Sequence, residues 1–162
     1  MKVYHLKRTQ TLPISLNEAW SFFSAPENLV AITPRRMGLK ILSKSAGEKI
    51  HVGQVIHYRI KVLSFWNVRW VTEITHVNEP DFFVDDQRVG PYALWNHQHH
   101  FREVEGGVEM TDNIRYAIPL GFIGRLANHL FVDREVNAIF DFRFTALEDY
   151  FKKNNSSTRT QA

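Results

Sequence analysis

The sequence predicts an α+β domain in which a curved antiparallel sheet wraps around one long C-terminal helix. Three observations carry this expectation. Residues 38–118 read almost continuously as β, with hairpin-length spacing between turn signals. Residues 122–152 switch to helical spacing. Between the first strand and the β run lie two short helical signals. No repeat or linker interrupts the 162 residues, so one domain over 1–152 is expected, followed by a polar, disordered tail at 153–162.

Residues 3–12, "VYHLKRTQTL", mix apolar and polar positions as a strand does. "LPIS" breaks it, and "SLNEAWSFF" opens a helix with a capping box: Ser15 faces the third amide and Glu18 reaches back. Leu16, Ala19, Trp20 and Phe23 give that helix one apolar face. "SAPENLVAI" repeats the signal. Ser24 and Glu27 have capping-box spacing and Pro26 sits in the first turn.

Strands are expected at 38–43, 52–62, 66–77, 81–88, 94–104 and 108–117. They are punctuated by Gly47, Gly53, "NEPD" at 78–81, "GPY" at 90–92 and "EGG" at 105–107. If Gly106-Gly107 forms a two-residue turn, Glu105 pairs with Val108. Phe101 then lies opposite Asp112, His99 opposite Ile114 and His97 opposite Tyr116. The terminal helix carries Phe122, Leu126, Val136, Ile139, Phe140, Leu147 and Tyr150 at helical spacing, with an irregularity expected at Gly124.

Composition excludes several function classes. The net charge of +3 is mild and dispersed, unlike the basic stripe that tracks phosphates, so no nucleic-acid partner is expected. The chain has no cysteine, which removes thiolate chemistry and cysteine-ligated metals. No apolar signal core or membrane-length apolar stretch is read, so a cytoplasmic protein without membrane insertion is expected. Arg35-Arg36 and Lys152-Lys153 read as solvated surface.

The stretch "WNHQHHF" at 95–101 holds three histidines. On a strand, Trp95, His97, His99 and Phe101 share one face, and His100 points away. "HQHHFRE" has the H-x-H-x-x-x-E spacing of a first cupin metal motif, with His97, His99 and Glu103 as ligands. The match fails beyond that point. Gly90 is one residue too far from His97, and Gly124 stands where the second motif needs a histidine. No metal or other cofactor is therefore expected.

Further inward faces join this one. Phe83, Asp85 and Gln87 share a strand face, as do Asp112 and Tyr116. Arg143 lies on the apolar stripe of the terminal helix, where it can pair with a buried carboxylate. Such a network either pins the helix to the sheet or offers hydrogen bonds to one end of a ligand. An Asp–His pair drawn from His97, His99, Asp85 and Asp112 could also move a proton. Trp20, Phe23, Trp70, Phe83, Trp95, Phe101, Tyr116, Phe122 and Phe140 are candidate cavity lining. Phe65-Trp66 is a candidate entrance lip or partner contact.

Three stretches resemble a known superfamily: "LPISLNEAWSFFSAPENLVAITP" at 12–34, "FFVDDQRVGPYALWNHQHHF" at 82–101, and "VEMTDNIRYAIPLGFIG" at 108–124 with "FDFRF" at 140–144. Together with the element order, they resemble the helix-grip fold of the START and Bet v 1-like (SRPBCC) superfamily over about residues 1–152. Val108-Glu109 departs from the Gly-Thr turn usual there. The resemblance implies a cavity for a small hydrophobic or amphipathic molecule. It leaves open a carrier, a polyketide cyclase-like or dehydratase enzyme, or a module partnering a nucleotide-sugar epimerase-like protein or a second copy of itself. Non-catalytic binding is the favoured expectation. Trp70, Phe83, Trp95 and Phe101 would supply apolar contact, and Asp85, Gln87, His97, His99, Asp112 and Arg143 would supply polar contact.

Overall fold

The computed structural model describes residues 1–45, 47–62 and 66–159, with side chains to Lys153. Seven antiparallel strands form one sheet: β1 (Tyr4–Leu12), β2 (Lys40–Lys44), β3 (Val55–Val62), β4 (Trp66–Asn78), β5 (Phe82–Val89), β6 (Leu94–Val104) and β7 (Gly107–Ala117). Their order, β1-β7-β6-β5-β4-β3-β2, is a meander closed at one edge by the first strand. The inward face alternates cleanly on β6, where Trp95, His97, His99 and Phe101 are all buried.

Helix α1 (Leu16–Phe23) starts on the expected capping box. The Glu18 amide donates to Ser15 Oγ at 3.3 Å, and the Ser15 amide donates to Glu18 Oε2 at 2.8 Å. The Ser15 amide, and Ser15 Oγ donating at 2.7 Å, hold the Glu18 carboxyl below its ordinary pKa. Ala19, Trp20, Phe22 and Phe23 are buried against a core that includes Phe83, Phe101 and Leu147.

The second helical signal resolves differently. Ser24 does not cap a new helix. Its amide donates to Trp20 O at 2.9 Å and closes α1, leaving Ala25 to start a 3-10 turn at Pro26–Val30. Glu27 instead pairs with Lys44 at 2.6 Å, which lowers its pKa. A further 3-10 turn at Arg35–Met37 ends on Gly38, whose φ of 52° suits glycine. Arg36 of this turn pairs with Glu135, so it ties the turn to the terminal helix rather than only facing solvent.

The β6–β7 register differs from the expectation by two residues. Glu103 pairs with Val108 and Val104 with Gly107, so the turn residues are Glu105-Gly106. Gly106 takes the positive φ, 88°, that this turn demands. Gly107 is drawn into the ladder, where an added Cβ would stand 2.0 Å from Leu12 O. His99 therefore lies opposite Asp112, His97 opposite Ile114 and Phe101 opposite Met110. A shift of two leaves every side chain on its expected face.

The terminal helix is in three parts: α2 (Gly121–Ala127), a π turn at Asn128–Val132 and α3 (Asp133–Arg159). The irregularity falls at the π turn and not at Gly124. Gly124 is buried inside α2, where a Cβ would meet Pro119 O at 2.0 Å. Helix α3 continues through residues 153–159, which the sequence reading assigns to the tail, because no Gly or Pro stops it. Residues 160–162 lie outside the described residues. Val136, Phe140, Arg143, Leu147 and Phe151 form its buried stripe.

Candidate functional site: a hollow with a buried His–Asp–Arg cluster

Sheet, 3-10 turns and α3 enclose a cavity of ≈ 320 Å³. That is the lower end of the ~300–1,000 Å³ typical of small-molecule sites. Its wall is largely apolar, with Asn28, Thr33, Thr72 and Glu135 as scattered polar positions and one cluster, from β5, β6 and α3, of Asp85, His97, His99 and Arg143. Trp66 also lines it and is 64% exposed, which places the mouth beside the start of β4. Phe65, its partner in the expected lip, lies outside the described residues.

The patch is built from two rows of the sheet. Asp85 lies opposite His97, and Phe83 opposite His99. The short bonds run diagonally. His99 Nε2 is 2.8 Å from Asp85 Oδ2, and His97 Nε2 is 2.8 Å from Asp112 Oδ1. His97 Nδ1 stands 3.7 Å from Asp85 Oδ2. His99 Nδ1 is 3.2 Å from Asp112 Oδ1 but misaligned for a hydrogen bond. The two imidazoles lie 3.7 Å apart between centroids, tilted by 36°, and Phe83 stacks on His99 at 4.1 Å. Arg143 Nη1 reaches Asp112 Oδ1 at 3.6 Å, and its guanidinium lies 4.9 Å from the Phe140 ring centre.

This packing sorts the protons. Burial and the neighbouring His99 charge push His97 down to about 4, so it is neutral near pH 7. Burial also opposes charge on His99, but the two carboxylates beside it, Asp112 at 3.2 Å and the hydrogen-bonded Asp85, outweigh it and raise its pKa. Burial works against the Asp112 carboxylate too. There Arg143 and both imidazoles win, and its pKa falls well below the usual range. Asp85 is likewise lowered, with burial overcome by the bond from His99 and the charges around it. One proton shared among His99 and two carboxylates, with Arg143 close by, leaves the patch near neutrality. Arg143 Nε and Nη1 are buried with no hydrogen-bond partner.

Nine of the expected residues line the cavity: Phe23, Trp70, Phe83, Asp85, Trp95, His97, His99, Phe140 and Arg143. Asp112 sits behind the imidazoles. Trp20 and Phe101 lie beneath Phe83, with Trp20 edge-on to both rings. Gln87 is turned away to brace the β5–β6 loop, its amide donating to Tyr92 O at 2.8 Å. Tyr116 stacks on Tyr4 and donates to Asp133 at 3.3 Å; burial and that carboxylate push it up to about 12. Phe122 is 70% exposed on α2 and does not reach the cavity, because the π turn separates its face from that of α3. Glu103, the third cupin-type ligand, is exposed.

Sequence reasoning missed the opposite wall. Ile56, Tyr58 and Ile60 of β3 line the cavity, and burial raises the Tyr58 pKa. Their alternation in "VIHYRIKV" was the available signal. Tyr92 and Ile139 were missed as well.

The architecture is a Bet v 1-like fold: a curved seven-stranded antiparallel sheet with a long C-terminal helix. Several solved structures share it at low identity. A protein Ms6760 from Mycobacterium smegmatis aligns with a TM-score of 0.67 and 15% identity over 95% of this chain and 98% of its own. Ara h 8.0201 aligns at 0.58 and 14%, covering 94% of this chain and 99% of that one. The di-domain ARO/CYC BexL, from the BE-7585A biosynthetic pathway, aligns at 0.70 and 11% over 92% of this chain and 50% of its own. No family model matches the chain, and no curated protein matches it in sequence. Among the described residues no helix is long and apolar enough to cross a membrane.

Proposed function

We propose that the chain binds a small amphipathic molecule in the hollow between sheet and α3, its apolar body against Trp70, Trp95 and the β3 wall. The observation that carries this reading is a largely apolar ≈ 320 Å³ cavity lined on one side by Asp85, His97, His99 and Arg143, whose buried Nε has no hydrogen-bond partner among the described residues. A buried donor left unsatisfied costs about 1–3 kcal/mol, which an oxygen-bearing ligand end would recover. Asp85 and His97 stand beside it to meet a hydroxyl.

A second reading is turnover of the bound molecule by acid–base chemistry of cyclase or dehydratase type. It is favoured by His97, a cavity-lining residue whose Nε2 is engaged by Asp112 at 2.8 Å while Nδ1 stands 3.7 Å from Asp85, too far for a hydrogen bond. A neutral imidazole so held is a base.

One experiment addresses both. Titration with 1-anilinonaphthalene-8-sulfonate, an anionic aromatic probe, should give saturable fluorescence from one site per chain. Ile60→Trp, which fills the cavity from β3, should weaken it at least tenfold. Equal affinity in the two folded proteins would remove the receptor reading. His97→Asn should keep probe binding; under the second reading it abolishes turnover of whatever small molecule native mass spectrometry finds with the protein.

A further inference from the structure

The histidine spacing that fails as a cupin motif in the sequence is completed by another strand. Glu103 turns to solvent, while Asp85 of β5 brings a carboxylate to the same two histidines. One donor atom from each of Asp85, His97 and His99 lies within 4.8 Å of the others. All three residues line the cavity.

The nitrogens are divided by direction. Each imidazole turns one nitrogen toward Asp112 Oδ1, at 2.8 Å from His97 Nε2 and 3.2 Å from His99 Nδ1. Each turns the other toward Asp85 Oδ2, at 3.7 Å from His97 Nδ1 and 2.8 Å from His99 Nε2. Donors bound to one ion at about 2.0–2.2 Å stand roughly 3–3.6 Å apart, so these two edges bracket what a shared ion needs. Behind the imidazoles, Asp112 takes the place of the outer carboxylate that orients metal-bound histidines. Arg143, 3.6 Å from the same Asp112 oxygen, commits that carboxylate to the rear of the site.

We infer that Asp85, His97 and His99 form a binding site for one first-row divalent cation such as Zn²⁺, Fe²⁺ or Co²⁺, with Asp112 as the outer-shell carboxylate. Two imidazoles and one carboxylate are borderline-to-hard donors that suit these ions and leave coordination positions open. The open positions face the hollow. Two carboxylates against one guanidinium leave a single negative charge when both imidazoles are neutral, and a dication reverses it. The open positions then favour an anionic oxygen donor from the cavity: a carboxylate, enolate or phenolate. This inference goes beyond the cavity reading and does not need it, since the metal is assayed alone.

The test is Co²⁺ titration of chelator-treated full-length protein, read by visible d–d absorption, with Zn²⁺ stoichiometry after equilibrium dialysis. One ion per chain is expected. His97→Asn and Asp85→Asn should each weaken Co²⁺ binding at least tenfold, and Asp112→Asn about 10–100-fold. Glu103→Gln should leave it unchanged. Less than about 0.2 Zn²⁺ per wild-type chain at a hundredfold excess over protein would overturn the site, whatever the variants do. So would equal Co²⁺ affinity in a folded His97→Asn protein. Probe binding to the metal-free protein is measured separately, so failure of one reading leaves the other standing.

Discussion

Strand β7 carries two acidic residues three positions apart, Glu109 and Asp112, on opposite faces of the sheet, and each meets an arginine. On the outer face Glu109 accepts from Arg102 Nη2 at 2.8 Å, with side chains 30% and 72% exposed. On the inner face Asp112 meets Arg143 at 3.6 Å, with side chains 7% and 9% exposed. The shorter contact contributes less. Water solvates the outer pair whether or not it forms, so its net value is about 0–1 kcal/mol. The inner pair has no water to fall back on, and each member depends on the other's presence. Distance measures geometry here, and burial sets the energy.

The largest effect expected from this contrast belongs to Asp112→Ala. The substitution leaves a buried guanidinium and two adjacent imidazoles without their carboxylate. Breaking a buried pair in this way costs about 3–5 kcal/mol. Urea unfolding should show a lower midpoint at nearly unchanged slope. A loss below about 1 kcal/mol would place the inner cluster in the same class as the outer pair and dissolve the comparison.

Arg143→Met should cost less, about 1–3 kcal/mol. It removes one charge-assisted partner of Asp112, while the 2.8 Å contact with His97 remains. Met also fills the stem's place between Phe140 and Leu147, so packing is largely kept. If Arg143→Met is as damaging as Asp112→Ala, the imidazoles contribute nothing to holding the carboxylate. Measuring both by the same urea titration therefore divides the cluster between its guanidinium and its imidazole halves.

The inner face was legible because strand alternation has period two. It put Trp95, His97, His99 and Phe101 together without knowledge of any partner strand, and the two-residue register error left that set intact. Which residue met which was not legible, since the choice between Gly106-Gly107 and Glu105-Gly106 as the turn depends on β1, where Leu12 O presses on Gly107. Arg143 was legible from its place on the stripe of α3. Phe122 was not, because the π turn inserts a residue's worth of rotation, about 100°, between α2 and α3. A stripe extrapolated backward from Val136 and Phe140 therefore meets the wrong face of α2. Ser24 shows the same limit on a smaller scale: its capping-box spacing with Glu27 was real, but the preceding helix claimed its amide first.

Arg102→Ala carries the smallest expected effect and is the sharper test of what the contrast teaches. Its contact with Glu109 is the best-formed exposed ion pair on the outer face of β6–β7, so a contact-distance view would rank it above Asp112–Arg143. The solvation view expects a loss of at most about 1 kcal/mol. It also expects that loss to shrink further at 1 M salt, where the Debye length falls to about 3 Å. Asp112→Ala, measured beside it, should keep its penalty in the same salt, because ions do not enter the packed space between β7 and α3. The informative quantity is thus the salt dependence of the difference between the two variants. A difference that widens or holds from low to high salt supports burial as the controlling variable. A difference that collapses would mean the inner cluster is as hydrated as the surface, and the buried Arg143 donors would then be satisfied by water.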